Sequence, residues 1–222
     1  MKTTTHGLAQ AQPSGHAREM KRAAVRSSAV LVAGWVLIAL SIVMLLRAGL
    51  GMAPYDVLNT GIARRTGFSP GTASWLACTG LVVIGLALRS RPGLGTILGA
   101  FSVGALINAG LDLAPQVDGT ALRYVLLVLS LVPQYVGVCC IILSRGGKGP
   151  VELVTVGLMR KGVSVRAARW IVESGCLVTG IALGGSVGVG TVVQLAASGP
   201  AIAVLLPVVS RAVGVSQAQH NQ

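Results

Sequence analysis

Long uncharged apolar runs alternate with short basic segments along most of the chain. Because an α-helix rises ~1.5 Å per residue, about 20 apolar residues suffice to cross the ~30 Å hydrocarbon layer of a membrane. The apolar residues do not alternate with a period of two, so a transmembrane β-barrel is not expected. The pattern predicts an all-α fold, a polytopic bundle of six spans at residues 27–46, 71–88, 92–111, 124–144, 170–183 and 189–209.

Composition supports a membrane protein and offers little material for catalysis. Apolar residues make up 53% of the chain and charged residues 11%, against roughly 25% charged residues in soluble domains. Only six acidic residues, three histidines and four cysteines are present. No CxxC, HExxH, GxSxG or Walker A motif accompanies them. We therefore expect no enzyme activity, no metal site and no cofactor.

The basic residues predict the orientation of the helices. The net charge of +12 is carried by Lys and Arg between the spans, with few aromatic neighbours, which argues against nucleic-acid binding. With the N-terminus in the cytoplasm, fourteen of the 18 basic residues lie inside, and only Arg47, Arg64, Arg65 and Arg123 lie outside. Both termini are thus predicted to be cytoplasmic, with residues 1–26 as a disordered tail, 27–211 as the membrane domain and 212–222 as a second tail. Membrane lipid is the expected partner, and a homodimer is left open.

The chain also repeats itself. Shifted by 96 residues, Gly51, Pro54, Asp56, Gly61 and Arg64 align with Gly147, Pro150, Glu152, Gly157 and Arg160. After one deletion, Trp75 aligns with Trp170 and the Gly93-x-Gly95-Thr motif with Gly188-x-Gly190-Thr. The units span about 27–113 and 122–210 with three predicted helices each. An odd number of spans places the second copy upside down, an arrangement typical of secondary transporters.

Each unit contains a short motif after its first span. Glycines break the chain, a proline begins a new helix, and an acid lies in its first turn. The helix is too short to cross, so it is either a re-entrant half-helix with its acid near the membrane midplane or an interfacial helix on the surface. The predicted hinge and cap residues are Gly51, Pro54, Gly61, Gly147, Pro150 and Gly157. The candidate substrate or ion contacts are Asp56, Asn59, Glu152, Thr155 and Glu173.

Glu173 lies within the fifth predicted span and has no acidic counterpart in the first repeat. An acid inside a span is by default a candidate for function, since burying its charge in lipid is costly. Arg169 stands one helical turn earlier, however, and a pair with this residue would explain Glu173 without a functional role. Both interpretations remain open at this point.

The first motif resembles a known family. Gly-x-x-Pro-x-Asp-x-Leu-x-x-Gly, beginning at Gly51, and Pro-Gly-x-Gly-Thr-Ile, beginning at Pro92, are similar to the YczE/YyaS/YitT family of bacterial integral membrane proteins, and most similar to its YczE-like branch. The resemblance covers about residues 28–210, although the second unit has Glu152 where the first has Asp56. It implies an inner-membrane protein. Together with the repeat, it leads to two hypotheses, a small secondary transporter or exporter and a non-transporting accessory or regulatory protein.

Overall fold

The computed structural model describes the backbone of residues 14–144 and 149–213, and side chains from residue 24 onward. Within these ranges the chain is helical and contains no strand. The helices are α1 (Ser14–Ala48), α2 (Pro54–Thr66), α3 (Pro70–Ala87), α4 (Leu94–Leu113), α5 (Thr120–Leu143), α6 (Pro150–Met159), α7 (Val165–Ala182) and α8 (Val189–Val213).

Five helices of the described chain are long and apolar enough to cross a membrane: residues Ala24–Ala48 of α1, and α3, α4, α5 and α8. The predicted class, an all-helical membrane protein, is confirmed. Five of the six predicted spans correspond to these helices, so the predicted count of six is not reached by length and apolar composition alone. The remaining candidate, α7, has 18 residues but carries Arg166, Arg169 and Glu173, which make it more polar than the others.

The first helix begins earlier than expected. We predicted a disordered tail over residues 1–26, whereas α1 begins at Ser14 and continues without a break to Ala48. The segment between Ser14 and Arg26 is rich in Ala, Arg and Lys, which are strong helix formers, and extending an existing helix costs far less than nucleating one. Residues 1–13 and 214–222, which include most of the predicted tails, lie outside the described residues.

Large apolar side chains cover the outside of the bundle. Leu94 is 81% exposed, and Val83, Val128 and Val192 are each about 60% exposed (59%, 61% and 67%). A soluble monomer rarely exposes apolar patches on this scale, because contact with water is unfavourable. In a bilayer the same side chains contact acyl chains, which are as apolar as leucine itself. The outer surface therefore matches lipid.

The two short helices, α2 and α6, pack against the same two long helices, α3 and α7. Helix α1 packs against α5, α1 also contacts α4, and α5 contacts α8. The short helix α2 packs against α3 and α7, while the short helix α6 packs against α7 and α3. Each of the two short helices thus contacts one long helix from its own half of the sequence and one from the other half.

Candidate functional site

The buried acid of the first motif defines the candidate site. Ala53 is extended and Pro54 begins α2, which places Asp56 in the first helical turn. Asp56 is 4% exposed, and Asn59, one turn later, is 6% exposed. The Nδ2 atom of Asn59 donates a hydrogen bond to Oδ1 of Asp56 at 3.2 Å. Of the predicted contact residues, the structure brings these two together.

Asp56 and Asn59 face a small cavity of about 10 Å³. Its walls come from α1, the α1–α2 break, α2, α3 and α4: Ile42, Leu46, Met52, Asp56, Asn59, Thr60, Pro70 and Ile107. The Oδ1 atom of Asn59 is buried and has no hydrogen-bond partner in the described chain. A space of this size accommodates about one water molecule. The site is therefore a small polar chamber in apolar surroundings, with an acceptor oxygen unused.

Hydrogen bonds join the α1–α2 break and α2 itself to the α7–α8 connection and the start of α8. Gly190 N donates to the carbonyl oxygen of Leu50 at 2.7 Å, and Met52 N donates to Oγ1 of Thr191 at 3.2 Å. Further along α2, Thr60 Oγ1 accepts a hydrogen bond from Ser186 N at 2.9 Å. Sequence reasoning missed these roles of Thr60, Ser186 and Thr191. The repeated Gly-x-Gly-Thr motif could have drawn attention to Thr191. That Thr191 lies against the α1–α2 break could be seen only in the tertiary structure.

The predicted hinge glycines divide into two kinds. Gly51 lies in the break between α1 and α2 with φ of +103°, a conformation that glycine adopts readily. Gly61 and Gly157 lie inside α2 and α6. A Cβ atom on Gly61 would lie 2.7 Å from the carbonyl oxygen of Gly180, and one on Gly157 would lie 2.6 Å from Cβ of Leu88. These two glycines permit close packing of the short helices on α7 and α3, instead of acting as hinges.

The second motif differs from the first in its surroundings. Pro150 begins α6, with Gly149 as the preceding extended residue. Glu152 is exposed, its carboxylate lies beside Gly149, and it does not line the cavity that contains Asp56. Thr155 is 9% exposed and donates to the carbonyl oxygen of Val151 at 2.9 Å. The sixth predicted hinge residue, Gly147, lies outside the described residues.

Glu173 pairs within its own helix. Its Oε1 atom lies 2.8 Å from Nε of Arg169, one turn earlier on α7. The side chains of Arg169 and Glu173 are 48% and 25% exposed. This geometry favours the interpretation of Glu173 as the partner of Arg169, and Glu173 does not line the cavity that contains Asp56.

Comparison with known proteins places the chain in a family. A family model described as "Family of unknown function (DUF6198)" matches residues 25–207. An uncharacterized protein of Haemophilus influenzae is 25% identical over 169 residues, which cover 76% of this chain and 78% of the relative. The uncharacterized protein YyaS of Bacillus subtilis is 24% identical over 185 residues, covering 80% of this chain and 91% of the relative. No solved structure matches.

The match to YyaS confirms the resemblance that the first motif indicated. The family model extends over nearly the whole predicted membrane domain, from the first apolar run to the last. The name of neither relative describes an activity. The comparison therefore shows the family, and a function has to be argued from the geometry of the site. The chain belongs to the family of unknown function DUF6198.

Proposed function

We propose that the protein is a small secondary transporter or exporter of the bacterial inner membrane, in which Asp56 binds and releases a proton during the transport cycle. The observation that carries this proposal is the buried Asp56–Asn59 pair in a small cavity. The pair lies on a short helix that contacts long helices of both repeat units. The substrate is a small molecule, and no enzymatic step is involved.

The surroundings of Asp56 favour proton binding. An ionised carboxylate enclosed by apolar side chains is costly unless a cation or several donors compensate for lost hydration. In the described chain Asp56 has one hydrogen-bond donor, Asn59, and forms no ion pair. The enclosed state therefore favours the protonated acid, whereas a state open to water would favour the carboxylate. Alternation between such states would carry a proton, as intramembrane acids do in many transporters.

The size and ligands of the cavity argue against a divalent metal ion as the bound species. Ca²⁺ and Mg²⁺ take six or more oxygen ligands. The cavity offers side-chain oxygens from Asp56, Asn59 and Thr60 only, and the hydroxyl of Thr60 already donates to Val57 and accepts from Ser186. At about 10 Å³ the cavity is also too small for a metabolite. The substrate would therefore need a different, more open arrangement of the helices around α2.

The burial of α2 supports a re-entrant position over an interfacial one. Its residues from Pro54 to Gly61 are all buried or half-buried, whereas Arg64, Arg65 and Thr66 are exposed. A helix that lies flat on a membrane buries one face along its whole length. A helix that enters the bundle end-on is enclosed on every side at its inner end, as α2 is. The acid of the first turn would then lie well inside the protein.

The packing of the helices supports the inverted repeat. Exchanging the units turns the α1–α4 contact into α5–α8, α2–α3 into α6–α7, and α2–α7 into α6–α3, and these six pairs are all packed together. The α3–α4 contact is the exception, because its counterpart α7–α8 is not closely packed. A two-fold relation between the halves would produce this exchange. With α7 as a sixth span and the positive-inside rule as a guide, both termini would be cytoplasmic. The six-span topology is part of the proposal.

A transport assay with the full-length protein tests this function. Purified protein is reconstituted into liposomes that contain a pH-sensitive dye, and a panel of amino acids, sugars, organic acids and cationic drugs is added outside. We expect one chemical class to drive proton movement through the wild type. Asp56→Asn, which keeps the shape and polarity of the side chain, should abolish this movement. Glu173→Gln, the matched substitution at an acid outside the site, should retain it.

Two results would contradict the proposal. Proton movement equal to that of protein-free liposomes across the whole panel would favour the accessory or regulatory protein. Proton movement at the wild-type level in Asp56→Asn would leave the transporter function standing but would show that Asp56 is not the residue that binds the proton. Infrared difference spectra between acidic and alkaline buffer give a substrate-independent check, because a titrating Asp56 contributes a protonated-carboxyl band that Asp56→Asn lacks.

A further inference from the structure

A second feature, which shares no lining residue with the cavity of Asp56, is a basic cleft where the end of α3 meets the end of α6. Its volume is about 670 Å³, and it is lined by Ala87, Leu88, Arg89, Arg160 and Lys161. Arg160 donates from Nη1 to the carbonyl oxygen of Arg89 at 2.8 Å. This bond holds the guanidinium group of Arg160 against the backbone of Arg89, and both residues line the same opening.

The cations of the basic cleft have no acidic partner within residues 24–144 and 149–213. Among the side chains that the structure describes, the ion pair is Arg169–Glu173 on α7. Arg89, Arg160 and Lys161 are all exposed and form no such pair. Three like charges that converge on one opening repel each other, and an anion in the opening relieves this repulsion. Guanidinium groups also match phosphate oxygens geometrically, because they present two parallel N–H donors.

The backbone at Arg89 indicates that the cleft differs from its counterpart in the second unit. Arg89 has φ of +60°, whereas every other described residue with a left-handed backbone is a glycine. The aligned residue at the end of α7 is Gly184, which has φ of +81°. The carbonyl oxygen of Gly184 accepts the equivalent bond from Arg64. The first unit thus has an arginine at a position that suits glycine, and the cleft gains a third cation that the equivalent Arg64–Arg65 end lacks.

We infer that the basic cleft binds a phosphate-bearing anion, either the headgroup of an anionic phospholipid or a free phosphate group. The predicted topology places Arg89 and Arg160 at the cytoplasmic side, where basic pockets between membrane helices commonly bind anionic headgroups. The apolar side chain of Leu88 in the same wall would contact the glycerol or acyl portion of a lipid. This inference does not depend on transport or on Asp56.

Thermal unfolding of the full-length protein in an uncharged detergent tests the inference. The probes are inorganic phosphate, short-chain phosphatidylglycerol and, as the zwitterionic reference whose headgroup has no net charge, short-chain phosphatidylcholine. A ligand that binds the folded state and not the unfolded state raises Tm, and the rise grows with the ratio of ligand concentration to Kd. We expect phosphatidylglycerol, phosphate or both to raise the wild-type Tm, and phosphatidylcholine to have no comparable effect. A response to both anions identifies the phosphate group as the determinant, and a response to phosphatidylglycerol alone identifies the lipid.

The variants decide whether the basic cleft is responsible. Arg89→Gly suits the left-handed backbone, and Lys161→Ala removes an exposed side chain, so the double variant should fold. It should lose at least about half of the Tm rise, because two of the three cations are gone. Arg65→Ala, at the position aligned with Lys161, is the matched control and should keep the full rise. The inference is overturned if neither anion raises the wild-type Tm, or if the double variant responds as the wild type does.

Discussion

Arg64 donates a hydrogen bond from Nη1 to the carbonyl oxygen of Gly184 at 2.7 Å, and this bond joins the exposed end of α2 to the end of α7. The second unit repeats the arrangement, with Arg160 on α6 and the carbonyl oxygen of Arg89 after α3 at 2.8 Å. Arg64 aligns with Arg160, and Arg89 aligns with Gly184. Two equivalent bonds, each between a short helix and a long helix of the other unit, hold the two halves together.

The hydrogen bond of Arg64 should contribute to the stability of the protein, whereas the side chain of the neighbouring Arg65 should not. Arg64→Ala removes the only side-chain hydrogen bond between the end of α2 and Gly184 among the described residues, and we expect a loss of about 1 kcal/mol in the free energy of unfolding. Arg65 is exposed and has no described partner, so Arg65→Ala should leave Tm unchanged. Thermal unfolding of both variants in the same detergent measures the difference. Equal Tm values would show that the bond contributes nothing.

Two glycines of α7 should respond in opposite directions to alanine. A Cβ atom on Gly180 would lie 2.6 Å from Leu58 N and 2.7 Å from the carbonyl carbon of Val57, while one on Gly175 would meet no atom within 4 Å. Gly180→Ala should therefore push α2 away from α7 and destabilise the protein by about 1–3 kcal/mol. Gly175→Ala should stabilise it by about 0.5–1 kcal/mol, since alanine loses less backbone entropy in a helix. Chemical or thermal unfolding checks both, and a neutral Gly180→Ala would refute the close contact.

The predicted topology can be tested by cysteine labelling in intact cells. The four native cysteines are buried, so they should react slowly with a membrane-impermeant maleimide. Asp118→Cys, in the exposed α4–α5 connection, should be labelled from outside, because residues 112–122 are predicted to be external. Arg91→Cys should be labelled only after permeabilisation, because 89–91 are predicted to be internal. Labelling of Arg91→Cys in intact cells would contradict the inverted repeat.

Glu173→Gln should have a small effect on stability. The pair with Arg169 is partly exposed, and helical pairs at this spacing contribute about 0.3–0.5 kcal/mol. Replacing the carboxylate with an amide should therefore shift Tm slightly and reduce the dependence of Tm on salt, which screens the pair. Thermal unfolding at low and high salt measures both changes. A large loss of stability would show that Glu173 has a further contact inside the membrane domain.

The class of the protein follows from the sequence, because it depends on local properties. A run of apolar residues of the right length is a membrane helix wherever it packs, and Ser69 and Ser164 cap the following helices through their own neighbours, Thr72 and Ala167. The alignment of Pro54 with Pro150 likewise predicted two short helices, and the structure contains both at the expected places. These features need only contacts within a few residues along the chain.

The surroundings of each acid required the tertiary structure. Asp56 and Glu152 are equivalent in the sequence, yet one is buried beside Asn59 and the other is exposed beside Gly149. The walls around Asp56 are formed by residues between positions 42 and 107 of the sequence. These residues belong to four helices and the α1–α2 break, and their side chains meet only after the helices pack. Burial is a property of the whole assembly of helices. Both acids lie in the first turn of a short helix, but only Asp56 is desolvated by surrounding walls, and this desolvation makes it a candidate proton site.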